Sequence, residues 1–154
     1  MIITFLGHSK VCEKDKLYDR LVNILSKNTV GADKIIFYCG GYGDFDGLSL
    51  KACKAVQNKK SNCEIVFVTP YITDSYQKKM EFLLKSGLYN STVYPPLENV
   101  PYKFAISKRN EWMVCEADLI IAYIDHSYGG AYKALEYAHK KKKKIINLGE
   151  LNLE

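Results

Sequence analysis

Two glycine clusters each close an apolar run: Cys39-Gly40-Gly41-Tyr42-Gly43-Asp44-Phe45-Asp46, and later Tyr128-Gly129-Gly130. Glycine lets the backbone approach a ligand closely and take positive φ, and a helix that follows offers free N–H groups and the positive end of its dipole to an anion. Two strand-to-helix loops of this kind predict a site for a phosphorylated small molecule. Side chains around them are suited to its other parts. Asp44 and Asp46 offer carboxylates to sugar hydroxyls; Asp46 is also placed to cap a helix over residues 48–56, which leaves Asp44 as the better sugar-binding candidate. Tyr42 and Tyr128, inside the glycine loops, are rings placed to stack on a base. The opening apolar run leads into Gly7-His8-Ser9. Taken alone, His8 reads as a turn residue bonded to backbone; beside the other loops, a ligand contact is an equal reading.

Several chemistries are excluded. Gly-Gly-x-Gly is not the Gly-x-Gly-x-x-Gly dinucleotide fingerprint, and no Gly-Lys-Thr phosphate loop occurs, so neither a nicotinamide dehydrogenase nor a P-loop ATPase is expected. The five cysteines (Cys12, Cys39, Cys53, Cys63, Cys115) are widely spaced, with no Cys-x-x-Cys and no histidine at zinc-ligand spacing. They read as reduced thiols of a cytoplasmic protein, mostly small core residues, and neither metal nor cofactor is expected. Residues 1–6 carry no basic leader and no run approaches eighteen apolar residues, so no signal or membrane segment is expected. The 22 Lys+Arg against 17 Asp+Glu leave +5, and Lys140 to Lys144 supply five of those positives. That run ends a helix and enters a strand, where cations suit the dipole and splay around the axis. A solvated helix end is therefore the reading preferred over a nucleic-acid or membrane patch.

The elements that must position these groups are legible as runs. Ile2-Ile3-Thr4-Phe5-Leu6, Lys34-Ile35-Ile36-Phe37-Tyr38-Cys39, Glu64-Ile65-Val66-Phe67-Val68-Thr69, Leu119-Ile120-Ile121-Ala122-Tyr123-Ile124 and Lys144-Ile145-Ile146-Asn147-Leu148 have the β-branched and aromatic content of strands buried on both faces. Residues 91–94 would add one more short strand. Helical spacing appears at Leu17, Leu21 and Ile24-Leu25, at Leu50, Cys53 and Val56, and at Met80, Leu83 and Leu84; two more helices fall over residues 107–116 and 130–142. Strict alternation predicts an α/β fold, a doubly wound, mainly parallel sheet with helices on both faces. Its ligand would lie beyond the carboxyl ends of the strands, where the loops after the first, second and fifth strands converge. At 154 residues and 47% hydrophobic content, the chain, residues 1–154, reads as one domain.

The order Ser107-Lys108-Arg109-Asn110-Glu111-Trp112-Met113, then Ala117-Asp118 before an apolar strand, then Gly129-Gly130-Ala131-Tyr132-Lys133-Ala134-Leu135-Glu136, resembles the SMF/DprA–LOG (SLOG) superfamily. Over nearly its full length the chain is most similar to a small stand-alone clade that opens with Gly-His and carries Gly-Gly-x-Gly-x-Phe-Asp. The resemblance implies a Rossmann-like nucleotide-binding domain that forms homo-oligomers. In the lonely-guy branch an Arg and a Glu serve hydrolysis of the N-glycosidic bond of a nucleoside 5′-monophosphate; by position these are Arg109 and Glu136, with Asn110 beside the Arg. Arg109 would anchor phosphate through its planar fork, and Glu136 would stabilise an oxocarbenium-like transition state. Tyr132 replaces a glycine of that motif and Lys133 a threonine, which narrows the cradle and exchanges a hydroxyl donor for a point charge. Without the resemblance, Arg109 and Glu136 read as a helix–helix ion pair or as two solvated charges. The leading expectation is binding of a nucleotide or ADP-ribose-like molecule by a sensor or sequestering domain. Phosphoribohydrolysis is the alternative, and single-stranded DNA binding, as in the DprA branch, is disfavoured by the clustering of charge at one helix end.

Overall fold

The computed structural model describes residues 1–151; residues 152–154 of the expected domain lie outside the described residues. Six strands alternate with five helices: β1 (Ile2–Gly7), α1 (Lys14–Asn28), β2 (Ile35–Cys39), α2 (Gly43–Gln57), β3 (Cys63–Val68), α3 (Asp74–Lys85), β4 (Ser91–Val93), α4 (Ala105–Glu116), β5 (Leu119–Tyr123), α5 (Gly130–Lys140) and β6 (Ile145–Asn147). A 3₁₀ turn, Tyr102–Phe104, leads into α4. The sheet order is β4-β3-β2-β1-β5-β6 and every pairing is parallel, with Ile3 opposite both Phe37 and Leu119. The chain thus winds outward from β1 in one direction, then returns to β1's other side, and the strand order reverses between β1 and β5.

The period of two along each strand sorts side chains onto two cores. Ile3, Phe5, Ile35, Phe37, Ile65, Phe67, Leu119 and Ile121 pack with Leu17, Leu21 and Leu25 of α1 and with Phe45, Ala52 and Val56 of α2. On the opposite face Leu6, Ile120 and Ala122 meet Val114 of α4 and Ala134, Leu135 and Ala138 of α5. Met113 of α4 packs beside Val66 and Val68 on that same face. Both faces are therefore covered, which is why the strands read as continuous apolar runs.

Several expectations shift. Helix α2 begins at Gly43 with Tyr42 as its flanking residue, so Asp46 is not a cap but sits inside the first turn. Helix α5 stops at Lys140 because Lys142 takes a left-handed φ of 55°. Lys143 then donates to the carbonyls of Cys115 and Ala117 at 2.9 and 3.1 Å, so one lysine of the run caps the end of α4. Helix α3 buries no residue fully: Met80 and Leu83 touch the core, while Phe82 and Leu84 face outward. Cys39 and Cys53 are buried, whereas Cys12 and Cys115 are exposed, so the core role holds for only part of the set.

Candidate ligand cavity at the carboxyl edge

A cavity of about 560 Å³ opens where the loops after β1, β2 and β5 meet the amino-terminal half of α4. Its walls include Gly7, His8, Ser9, Lys10, Tyr42, Asp46, Ile106, Arg109, Asn110, Met113, His126, Tyr128, Gly129 and Gly130. The volume lies within the range that encloses small organic ligands. The position is the crevice that doubly wound sheets leave at a reversal of strand order.

At one end stands Arg109, which is only 3% exposed. Its Nη1 donates to the carbonyls of Gly40 at 3.1 Å and Val68 at 2.7 Å, so the guanidinium spans the carboxyl ends of β2 and β3. Nε donates to Asn110 Oδ1 at 3.0 Å, and Nη2 has no partner among the described residues. The one buried side-chain nitrogen or oxygen that is both sealed from solvent and unpaired, among those residues, is Ser49 Oγ; Nη2 is therefore open to the cavity. Two of five donors remain for an anion. Burial lowers the Arg109 pKa against the raising influence of Asp46.

Asp46 shares this end. A Cβ at Gly40 would lie 3.2 Å from Arg109 Cζ and Nη2 and 3.2 Å from Asp46 Oδ2, so the bare glycine lets both groups close over it. Asp46 Oδ2 accepts the Tyr42 N–H at 2.9 Å. Desolvation nevertheless lifts this carboxyl to about 6, against the lowering effects of that hydrogen bond and of Arg109.

The other end is built from the loop after β5 and the start of α5. His8 and His126 stack with ring centroids 3.5 Å apart and planes within 9°, and Tyr128 lies over His126 at 4.1 Å. The backbone N–H of Asp125 can only donate, so His8 Nε2 accepts it at 3.2 Å and the His8 proton sits on Nδ1. The Asp125 carboxylate lies 2.7 Å from His126 Nδ1, which donates to it and leaves Nε2 as a bare lone pair. Burial, then His126, lower the His8 pKa, opposed by Asp125. His8, Asp125 and His126 offer ligand atoms within 4.8 Å of one another, near enough for one metal ion. The geometry does not suit one: Nε2 of His8 is already an acceptor, and two parallel rings 3.5 Å apart share no point lying in both ring planes. Below them α5 starts at Gly130 without a side-chain cap, and its first internal bond is Lys133 N–H to Gly129 O. The preceding N–H groups are free toward a ligand. A Cβ at Gly129 or Gly130 would meet nothing within 4 Å.

Gly7, His8, Ser9, Tyr42, Asp46, Arg109, Asn110, Tyr128, Gly129 and Gly130 are thus gathered around one cavity. Gly40 and Gly41 lie just beneath it, Gly40 under the Arg109 and Asp46 groups and Gly41 against Phe67. Of the two aspartates, Asp46 lies on the cavity wall and Asp44 does not. Asp44 ties down the first loop, accepting the Val11 N–H at 3.3 Å and pairing with Lys14 at 3.4 Å, while Gly43 packs on Ser9. Glu136 and Lys133 do not line the cavity, and among the described residues no ion pair joins Arg109 to Glu136. The sequence reading passed over Lys10, Asp125 and His126. The available signal was Asp125-His126 immediately beyond the Leu119–Ile124 run, at the carboxyl edge of the sheet.

Neither a protein-family model nor a curated protein sequence matches the chain. Among solved structures, DNA processing protein A of Helicobacter pylori, described by its single-stranded DNA binding mode, superposes with a TM-score of 0.60 at 15% identity. The match covers 96% of this chain and 64% of that one, so the chain spans under two thirds of the neighbour's length. The Moco carrier protein of Chlamydomonas rheinhardtii superposes with a TM-score of 0.54 at 14% identity, covering 96% of this chain and 75% of that one. At these identities the likeness is one of fold: a Rossmann-like α/β sheet.

Proposed function

We propose that the cavity binds a phosphorylated, nucleotide-like small molecule, and that the protein serves as a sensor or sequestering domain for it. The observation that carries this reading is the guanidinium of Arg109, 3% exposed yet with Nη2 unpaired and open to the cavity. A buried cation with free donors is costly unless an anion completes it. The bare Gly129 and Gly130 give room for a phosphate at the start of α5, and the rings of Tyr42 and Tyr128, each 71% exposed at the rim, supply faces for a base.

Hydrolysis of a nucleoside monophosphate by Arg109 and Glu136 is the second reading, supported by the resemblance in motif order and weakened by the position of Glu136 outside the cavity wall. Single-stranded DNA is the third. The neighbour from Helicobacter pylori favours it, as do the exposed rings of Tyr102 and Phe104 flanking Lys103 ahead of α4.

One experiment separates the three. The protein is titrated calorimetrically with AMP, ADP-ribose and a short oligonucleotide at low salt, and the mixtures are resolved by chromatography for free base. Saturable binding of an intact nucleotide, weakened at least about tenfold in Arg109→Met, is the expected result. Free base lost in Glu136→Ala would make the protein a hydrolase. Oligonucleotide binding alone, falling steeply with salt, would move the site to nucleic acid.

A further inference from the structure

The cavity has two cationic or proton-accepting ends, Arg109 beside Asp46 at one and His8 stacked on His126 beside Asp125 at the other. Each end has a deeply buried side chain with an unused polar atom: Nη2 of Arg109, 3% exposed, and Nδ1 of His8, 8% exposed. Neither atom is sealed from the cavity, and the lone pair of His126 Nε2 joins that of the second end. The uncapped start of α5 adds free N–H groups beside the histidines.

From this arrangement we infer a second anion subsite, formed by His8, His126 and the first N–H groups of α5, that binds its anion together with a proton. The inference rests on the nucleotide reading above and narrows the ligand to one with two anionic groups: a nucleoside diphosphate or another diphosphate-bearing nucleotide, one group on Arg109 and the other between the histidines and α5.

The chemistry of the pair gives the proton linkage. In the empty cavity His8 donates only through Nδ1, while His126 presents a lone pair to any incoming oxygen, which repels an anion. Protonation of Nε2 turns His126 into a second donor, and the Asp125 carboxylate at 2.7 Å from Nδ1 stabilises the resulting imidazolium. Two stacked rings 3.5 Å apart oppose that charge until an anion arrives. The groups facing the histidines are Asp125 and Tyr128 from the loop after β5, Lys10 from the loop after β1, and Asp46 and Arg109 across the cavity. Asp46 protonates near the Arg109 end, so its contribution must be separated by variant. Binding is then accompanied by proton uptake and tightens as pH falls.

The test uses the full chain labelled with ¹⁵N-histidine, in which three histidines (His8, His126, His139) give resolvable ring signals. Nitrogen shifts are recorded at about pH 7 without ligand, with AMP and with ADP, and affinities are measured for both nucleotides in wild type, His126→Gln and Asp46→Asn. Expected are a move of the histidine pair toward the imidazolium signature when ADP is added, and ADP binding about tenfold or more tighter than AMP. In His126→Gln the preference for ADP over AMP collapses; in Asp46→Asn it remains. Equal affinity for AMP and ADP with unchanged histidine shifts would overturn the second subsite and leave nucleotide binding standing. If neither nucleotide binds, the nucleotide reading itself fails.

Discussion

The two glycine loops look alike in sequence and do opposite physical work. In the loop after β2, Gly41 and Gly43 take φ of 72° and 86°, and a Cβ at either would come within 2.6 Å of Phe67 or of the Ser9 backbone. Those hydrogens are there because the protein fills the space. In the loop after β5, Gly129 and Gly130 face emptiness, with nothing within 4 Å of an added Cβ. Gly129 is required there by its φ of 92°, and Gly130 opens α5 into free space, at an uncapped helix start beside two histidines. The lesson is that a glycine motif reports close approach without saying what approaches. Only the surrounding atoms distinguish packing from binding.

Substitutions can sharpen or break that contrast. The largest effect is expected at Gly43→Ala, where a left-handed φ and a backbone clash together should destabilise the fold by about 3 kcal/mol or more, read by denaturant unfolding. A stability close to wild type would mean the first loop is as open as the second. Next comes Asp46→Asn. A carboxyl raised from 3.8 to about 6 by folding binds its proton more tightly in the native state, so its ionisation opposes folding. The amide should therefore stabilise the protein by up to about 3 kcal/mol above pH 6, with the gain shrinking as pH falls toward about 4. A gain that does not vary with pH would remove the desolvated carboxyl from the account.

Gly130→Ala is the counterpart of Gly43→Ala. Its backbone is helical and its surroundings empty, so stability should change by less than about 1 kcal/mol, in the favourable direction, while nucleotide affinity drops. Unchanged affinity would move the ligand off the start of α5. The smallest effect is expected at the lysine run: Lys143→Met, which loses the bonds to Cys115 O and Ala117 O, should cost about 0.5–1 kcal/mol. Lys141→Met, exposed at the helix end, should cost nothing measurable by thermal unfolding.

Much of this was legible in the residues. Strands β1, β2, β3 and β5 announce themselves because both faces are covered, and alternation with amphipathic helices leaves a parallel sheet as the natural solution. The loops that line the cavity follow from that topology. What escaped was register and company. The start of α2 lies several residues earlier than a capping aspartate suggested, because positive-φ Gly43 rather than a side chain turns the chain into the helix. That shift moved Asp46 into the cavity and Asp44 out of it. Glu136 sits a turn and a half along α5, beyond the reach of the cavity wall, whereas motif order alone paired it with Arg109. The stacking of His8 on His126 joins residues from opposite ends of the chain, a contact no local pattern encodes.

The most direct test of the central claim is a crystal structure of the protein grown with ADP. The account predicts density in the cavity with one phosphate against Arg109 Nη2 and the other at the start of α5 beside His8 and His126. Phosphates bound elsewhere, with Arg109 Nη2 facing only solvent in a nucleotide-saturated crystal, would contradict it.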